Sequence, residues 1–575
     1  MLSKRRIGAI AVISLALCVL AVGRALYAQW VDFPAYERAT ERQQISSVET
    51  IATRGRIFDR HGNVLAVSNR AFIMRLNVAA ITTTVDAARL AEAIAPVMQE
   101  NPGVLRNRID DIMQKRRGNY IALGVLPEVM TRTITAIEDY DQHTTDRKLT
   151  KGAVEFEEHW TRSYPFGSVA GPTVGFVTYL GDSRSGVEAF ANAALAETPG
   201  KRLGRTRIDL IDSKPTLSGA DVILSLDIDL QAYTEQRLSA AIKDTGAQSG
   251  LVMVMETHTG RMLSAASWPG YDPNHISELA SDPAHAALLK DSAASDVYEP
   301  GSVMKLCTIA AALDAGAIQP NQLWEDSGKI VVEGRSIRNS DRRAHGTVDL
   351  TKTLAKSLNV VTVQIAQALG PDQFYRGMAA FGIGQRTGID VGGEAAGIMR
   401  TPTNDPTWGR IDLATNSYGQ GVAVTAYQML NAINAIGNDG MLLQPFVIQQ
   451  WNDAQGNPTI KKTVPLRRAI SADTARIMRS IMKDATMSAT PKVAPQGYTV
   501  AGKTGTADWY LRGVKQESTI VTYVGMLPAD NPRLTILIKL DQPTSSPWAN
   551  ETTISVFHDI AARAVRLLGV PPDTQ

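Results

Sequence analysis

Tyr298-Glu299-Pro300-Gly301-Ser302-Val303-Met304-Lys305 sets an S-x-x-K motif directly behind a turn. The chain stays mostly apolar to Leu313 (SVMKLCTIAAAL), which reads as a helix opening at Ser302. A serine in a first helical turn lies among free backbone N–H groups at the positive end of the dipole, a setting that favours a developing anion. Lys305, three residues on, shares its face, so its amine is expected to reach the Ser302 hydroxyl. A serine hydroxyl is a poor nucleophile until a base takes its proton. A lysine is such a base only if burial and a nearby cation keep it neutral. Taken alone, the motif is equally an ordinary buried helix with a serine cap and a snorkelling lysine.

Two more motifs follow in order. Ser357-Leu358-Asn359 falls between helical stretches at 350–358 and 360–369, which puts Asn359 near a helix junction with its amide aimed at a cleft. Ser357 is then placed to relay a proton from Lys305, and Asn359 to bind a substrate amide; in isolation the segment is a polar helix break. Lys503-Thr504-Gly505-Thr506 closes a stretch from Gly497 that also fits the phosphate-loop pattern G-x-x-x-x-G-K-[ST], with 534–541 (LTILIKLD) as a candidate acidic strand. Context opposes an ATPase. Tyr498-Thr499-Val500 is strand-like and Gly505 discourages the helix that must follow such a loop. The better reading is a strand over 498–506 along one cleft wall. There Lys503, Thr504 and Thr506 offer a charge and two hydroxyls to a carboxylate, and Lys503 supplies the cation beside Lys305.

The chain has 575 residues, enough for two or three domains, with 59 Lys and Arg against 57 Asp and Glu, a balance that does not suggest nucleic-acid binding. Lys4, Arg5 and Arg6 precede an uncharged run from Ile7 to Gly23, and Arg24 and Trp30 follow. This reads as one membrane-spanning anchor, 7–27, after a short cytoplasmic tail, 1–6, with the rest exported. A cleaved signal peptide is the rival, Ala25 to Ala28 offering a small-residue site. Leu17 before Cys18 makes a poor lipoprotein signal. Of the two cysteines, Cys18 lies in the span and Cys307 in the nucleophile helix, so no intramolecular disulfide is expected. No residue cluster has metal-ligand spacing, and no cofactor is implied.

A linker covers 28–50. The segment 51–218 reads as a support domain: a hairpin around His61-Gly62-Asn63, helices over 85–99 and 102–115, and a Gly-rich stretch after Arg162-Ser163-Tyr164-Pro165-Phe166-Gly167. From 219 to 575, strands at 221–226, 251–256 and 261–267 precede the helices that carry the first two motifs. Strands at 498–506, 519–527 and 534–540 and a helix at 553–568 follow them. That order predicts an α+β domain in which one antiparallel sheet carries a helical insertion, the active site lying between insertion and Lys503 strand.

These features together resemble a class B penicillin-binding protein, a membrane-anchored peptidoglycan D,D-transpeptidase of the division-specific (septal) type. The likeness extends beyond the three motifs to Arg54-Gly55 with Asp59-Arg60-x-Gly62, Arg162-x-Tyr164-Pro165-x-Gly167, Phe381-Gly382-x-Gly384 with Thr387-Gly388, and Ser417-Tyr418-Gly419-Gln420-Gly421. It implies a penicillin-binding, β-lactamase-like transpeptidase fold on the support domain. It also implies that Ser302 attacks the penultimate D-alanine carbonyl of a stem peptide, that Lys305 is the base, and that Ser357 passes the proton on. Asn359 would hold the substrate amide and Lys503, Thr504, Gly505 and Thr506 the terminal carboxylate, with the backbone N–H groups of Ser302 and Thr506 as oxyanion hole. Implied partners are stem peptides, β-lactams, a membrane-embedded glycan polymerase and other division proteins. The implied place is the cell inner (cytoplasmic) membrane. Three departures stand out: Asp291-Ser292-Ala293 where the family often has Asn-Arg-Ala, Leu358 where Ser or Asp is common inside S-x-N, and Val303 in place of a frequent Thr. None removes a catalytic atom, but an altered cleft, with changed substrate fit and β-lactam affinity, is expected from them. A β-lactamase, a D,D-carboxypeptidase and a non-catalytic scaffold or β-lactam sensor are the rival readings. The first would need a deacylating base, and no E-x-x-L-N segment supplies one.

Overall fold

The strand at Leu534–Asp541 (LTILIKLD) is buried at every position, and that one fact organises the catalytic half of the molecule. A strand covered on both faces has no solvent side, so its sequence reads as a near-continuous apolar run. The computed structural model describes residues 4–27, 46–50, 52–115, 118–143, 152–179, 181–198, 200–204, 211–214, 216–281, 285, 288–453, 455–511 and 514–574. The expected linker segment 28–45, Trp30 included, and the first three residues lie outside them.

The chain forms two compact units. The first comprises Met1–Thr53 and Glu197–Gly219. It contains the helix Lys4–Tyr27, of which Gly8–Tyr27 is long and apolar enough to cross a membrane. It also contains an antiparallel sheet of Ser46–Thr50, Gly200–Gly204 and Ile211–Lys214 in that order.

The second unit, Arg54–Ala196 with Ala220–Gln575, holds two sheets that matter here. In the five-stranded sheet, β1 (Ser249–Glu256), β2 (Met262–Trp268), β3 (Ala501–Leu511), β4 (Val514–Leu527) and β5 (Leu534–Asp541) run in the order β2-β1-β5-β4-β3, antiparallel throughout. Helices Ile228–Thr245 and Ile554–Leu567 cover one face through Leu238, Ile242, Phe557 and Ile560. Phe557 meets Tyr523 edge-on, ring centroids 4.8 Å apart. The other face carries the helical region inserted between β2 and β3, including α1 (Met304–Asp314), α2 (Asn359–Leu369) and α3 (Arg410–Ser417). The expected antiparallel sheet with a helical insertion is therefore present.

A seven-stranded sheet joins the earlier part of this unit to the later. Ile57–Phe58 pairs in parallel with Asp221–Leu224, and that strand in turn pairs with Ile448–Asn452. On the other side Val64–Leu76 pairs with both Tyr120–Val125 and Val154–Ser163. Helices Thr84–Met98, Pro102–Lys115 and Pro127–His143 enclose a separate core with this end of the sheet through Leu90, Ile94, Leu105, Ile109 and Ile137. Arg54 and Arg162, from two of the quoted motifs, both pair with the fully buried Glu188 at 2.7 Å, locking the segments against one another.

Candidate active site

Ser302 lies in a 3-10 turn, Gly301–Val303, and α1 proper begins at Met304. The α-helix expected from Ser302 thus begins two residues later, behind a tight 3-10 turn. The reason is Gly301, whose φ of +54° lets the chain turn sharply into the helix. Three glycines bring this turn against the edge strand β3. A Cβ at Gly301 would lie 2.8 Å from Thr506 O, one at Gly505 would lie 2.7 Å from Pro300 O, and one at Gly419 would lie 2.1 Å from Gly301 O. Gly301 N also donates to Gly419 O at 3.0 Å. The half-buried Ser302 is therefore held beside Thr506 by backbone contact that leaves no room for side chains. Gly505→Ala should push the nucleophile turn off β3. We expect stability to fall by about 1–3 kcal/mol from overpacking, and acylation by penicillin to slow at least about tenfold. Thermal melting and a stopped-flow acylation rate read the two; an unchanged rate would mean that the turn does not depend on this contact.

Lys305 is fully buried on the next turn. Its Nζ donates to Ser357 O at 2.6 Å, Ser357 Oγ at 3.2 Å and Asn359 Oδ1 at 2.7 Å. These three contacts carry it to the second motif; no hydrogen bond to Ser302 is among those described. Burial lowers the Lys305 pKa well below that of a free lysine, and the nearby Lys503 charge lowers it further. The Ser357 carbonyl and Asn359 Oδ1 are the nearest acceptors, at 2.6 and 2.7 Å, and together they fix the position of the amine.

Ser357 has a left-handed backbone, φ +56°, and this ends the preceding helix at Ala355 instead of carrying it to 358. Asn359 is the first residue of α2. Its Nδ2 donates to Arg338 O at 2.9 Å, which fixes its Oδ1 toward Lys305. Behind it is a support that the sequence did not disclose. Asn339 Oδ1 accepts the N–H groups of Asn359 at 2.9 Å and Val360 at 3.2 Å, capping α2 from a separate hairpin. Asn339 Nδ2 in turn donates to both oxygens of the buried Asp326. The only trace of this pair in the sequence is a polar residue after the apolar Ile337. Leu358, a departure from the family pattern, is fully buried in the helical core, so it does not face the cleft.

Lys503 lies inside β3, which runs from Ala501 to Leu511 with no helix after the lysine. The phosphate-loop reading fails on that observation. The strand starts three residues later than expected, because Tyr498 N bonds back to Pro495 O and the tail residues Asp573 and Thr574 donate to Gly497 O. Lys503 Nζ donates to Thr504 O at 3.1 Å and Thr504 Oγ1 at 3.2 Å. Burial depresses its pKa to about 7. Ser302, Lys305, Ser357, Asn359, Lys503, Thr504, Gly505 and Thr506 thus converge from the 3-10 turn and first turn of α1, the turn before α2 with the first residue of α2, and β3. The half-buried Thr504 and Thr506 flank Gly505 along the edge strand.

The penicillin-binding protein transpeptidase domain model matches residues 250–562, and the penicillin-binding protein dimerisation domain model matches 49–211. The chain belongs to the class B penicillin-binding proteins. It is 29% identical to penicillin-binding protein PbpB of Mycobacterium tuberculosis over 90% of this chain and 78% of that one. It is 28% identical to the probable peptidoglycan D,D-transpeptidase PenA of Neisseria meningitidis over 98% and 94%. The solved structure of penicillin-binding protein 3 from Mycobacterium tuberculosis, complexed with aztreonam, superposes with a TM-score of 0.69 at 25% identity, covering 91% of this chain and 98% of that one.

Proposed function

We propose that this penicillin-binding protein cross-links peptidoglycan stem peptides by D,D-transpeptidation through a Ser302 acyl-enzyme, in septal wall synthesis, and is acylated by β-lactams in the same way. The observation that carries the reading is the fully buried Lys305, three residues from Ser302 and hydrogen-bonded to both Ser357 and Asn359, its pKa lowered by desolvation and then by the Lys503 charge. In this mechanism Lys305 takes the Ser302 proton and Ser357 conducts it to the leaving D-alanine amine. The carbonyl oxygen becomes an oxyanion held by the N–H groups of Ser302 and Thr506, and the terminal D-alanine leaves. The substrate amide rests on Asn359. Its terminal carboxylate pairs with Lys503 and with the Thr504 and Thr506 hydroxyls, Gly505 letting the strand approach. An amine of a second stem peptide then displaces the serine and completes the cross-link.

The N-terminal helix would anchor the protein in the inner (cytoplasmic) membrane with its basic start in the cytoplasm and the catalytic domain outside. The domains would be a support at 51–218 and a transpeptidase at 219–575. A membrane-embedded glycan polymerase and other division proteins would engage the span and the support.

Fluorescent penicillin followed by peptide mapping tests the central claim. One adduct on the peptide that holds Ser302 is expected. A folded protein that takes no label, or takes it elsewhere, would refute it. A second expectation concerns pH. The second-order acylation rate should rise as Lys305 loses its proton and fall above about 7 as free-enzyme Lys503 loses its own. Lys503→Arg, always charged, should lose the alkaline limb. An identical limb in the variant would assign it to a different group.

A further inference from the structure

The hairpin that supports Asn359 carries a charge arrangement that costs free energy in the protein as it stands. Lys329–Val332 and Arg335–Arg338 pair so that Lys329 lies directly opposite Arg338, both exposed. Like charges facing across a strand pair repel. Exposed Arg335, Arg338, Arg342 and Arg343 fall within nine residues of sequence. The acids of this segment are engaged elsewhere. Glu333 caps α3 by accepting the N–H groups of Arg410 and Ile411, both at 3.1 Å. Asp326 is buried under Asn339, Asp349 caps the helix Leu350–Ala355, and Glu325 accepts from Thr347 Oγ1. Asp341 accepts from Arg343 N and lies 2.8 Å from His345 Nε2, so it offsets Arg343. No ion pair involving Lys329, Arg338 or Arg342 is present among the described residues.

The position of these cations matters as much as their number. Arg338 supplies the carbonyl that orients Asn359, and Arg343 supplies a carbonyl to Asn339 Nδ2 at 3.0 Å. Arg342 donates its N–H to Asn339 O and takes a left-handed backbone, φ +58°, which is strained for a long side chain. One backbone knot thus holds the S-x-N wall of the cleft and presents the uncompensated cations beside it. Repulsion, strain and missing counter-charge at one place are expected where an anion binds.

We propose that Lys329, Arg338 and Arg342 form a carboxylate-binding flank on the S-x-N side of the cleft, which holds the acceptor stem peptide by its free carboxylate while its amine meets the acyl-enzyme. This rests on the transpeptidase reading and names the substrate feature that the second half-reaction recognises. The donor carboxylate is met by Lys503 on the opposite wall, so the two peptides are sorted by which wall takes the charge.

The test uses the full-length protein in detergent, a D-alanyl thioester donor, and two acceptor peptides that differ only in a C-terminal carboxylate or carboxamide. Wild type is expected to favour the free-acid acceptor about fivefold in kcat/KM, the scale of an exposed charge pair, and the preference should shrink as salt rises. Lys329→Gln/Arg338→Gln/Arg342→Gln should bring the ratio to about one. Because the readout is a ratio within each protein, a general loss of rate does not imitate it; Lys329→Arg should retain it. Equal use of both acceptors by wild type, or an undiminished preference in the triple variant, overturns the proposal. So does a variant that keeps the preference but loses binding to anionic lipid vesicles, which would make the patch a membrane contact. Failure of penicillin to label wild-type Ser302 sinks the underlying reading, and this one with it; labelling with no carboxylate preference sinks this one alone.

Discussion

Lys305→Met should reduce acylation of Ser302 by penicillin about a thousandfold without lowering the melting temperature at pH 7. The rate loss follows from removing a positioned base, which supplies roughly 10²–10⁴ in a proton-transfer step. The stability expectation follows from the same burial. The Lys305 amine has a folded-state pKa well below its ordinary 10.5, so the unfolded chain binds the proton more tightly. Its contribution therefore opposes folding at neutral pH, and stability is regained only as pH rises toward about 10. Methionine fills similar space with no charge to desolvate. Against this gain stand the acceptors left by the amine, Ser357 O and Asn359 Oδ1, at about 1 kcal/mol or more each. The variant's advantage should widen as pH falls from about 10 and level off below the folded-state pKa. A variant that melts well below wild type at pH 7 would show that the hydrogen bonds outweigh desolvation, and that Lys305 is chiefly structural. Activity kept at the expense of stability is the usual sign of a functional group held in a hostile environment.

The three motifs and the main sheet were legible because each has a local signature. LTILIKLD and LVMVME are runs whose apolar continuity marks strands buried on both faces, and SVMKLCTIAAAL could only be a core helix. Chemistry at fixed offsets did the rest: Lys305 and Asn359 meet at 2.7 Å although 54 residues separate them. What stayed hidden depends on pairing at a distance. Nothing near Ile57 announces its parallel register with Val222, and nothing near Asn339 shows that its side chain caps a helix beginning at Asn359. Glycine spacing was visible at 301, 419 and 505, but not that the three meet, because close approach is a property of the pair and leaves no period in either sequence. Leu358 shows the opposite error. As a departure within a motif it suggested an altered cleft, yet its alternation with the half-buried Ser357 and Asn359 turns it into the core.

Asp291→Asn should stabilise the protein by up to roughly 4 kcal/mol at pH 8 and have little effect near pH 4. Asp291 is the N-cap of the short helix Ser292–Ser295, its carboxylate accepting from Ala293 N at 3.0 Å. The residue is buried, and its Oδ2 makes no hydrogen bond of good geometry. Desolvation raises its pKa from the ordinary 3.8 to about 7. Asp296 pushes the same way, while the N–H groups of Ala293 and Ala294 and the Tyr427 hydroxyl pull it down without prevailing. A folded-state pKa above the unfolded one means that the folded protein holds the proton more tightly. The stability this confers is complete below about 4 and is lost as pH rises through about 7. The rise from 3.8 to about 7 corresponds to roughly 4 kcal/mol. Asparagine caps a helix about as well as aspartate and never needs the proton. Its Nδ2, in the place of Oδ2, can donate to the otherwise unpartnered Tyr427 hydroxyl. Thermal melts of both proteins at pH 4.5 and pH 8 decide the matter, with the gap expected only at the higher pH. Equal melting at pH 8 would mean that the carboxylate ionises freely in its buried site.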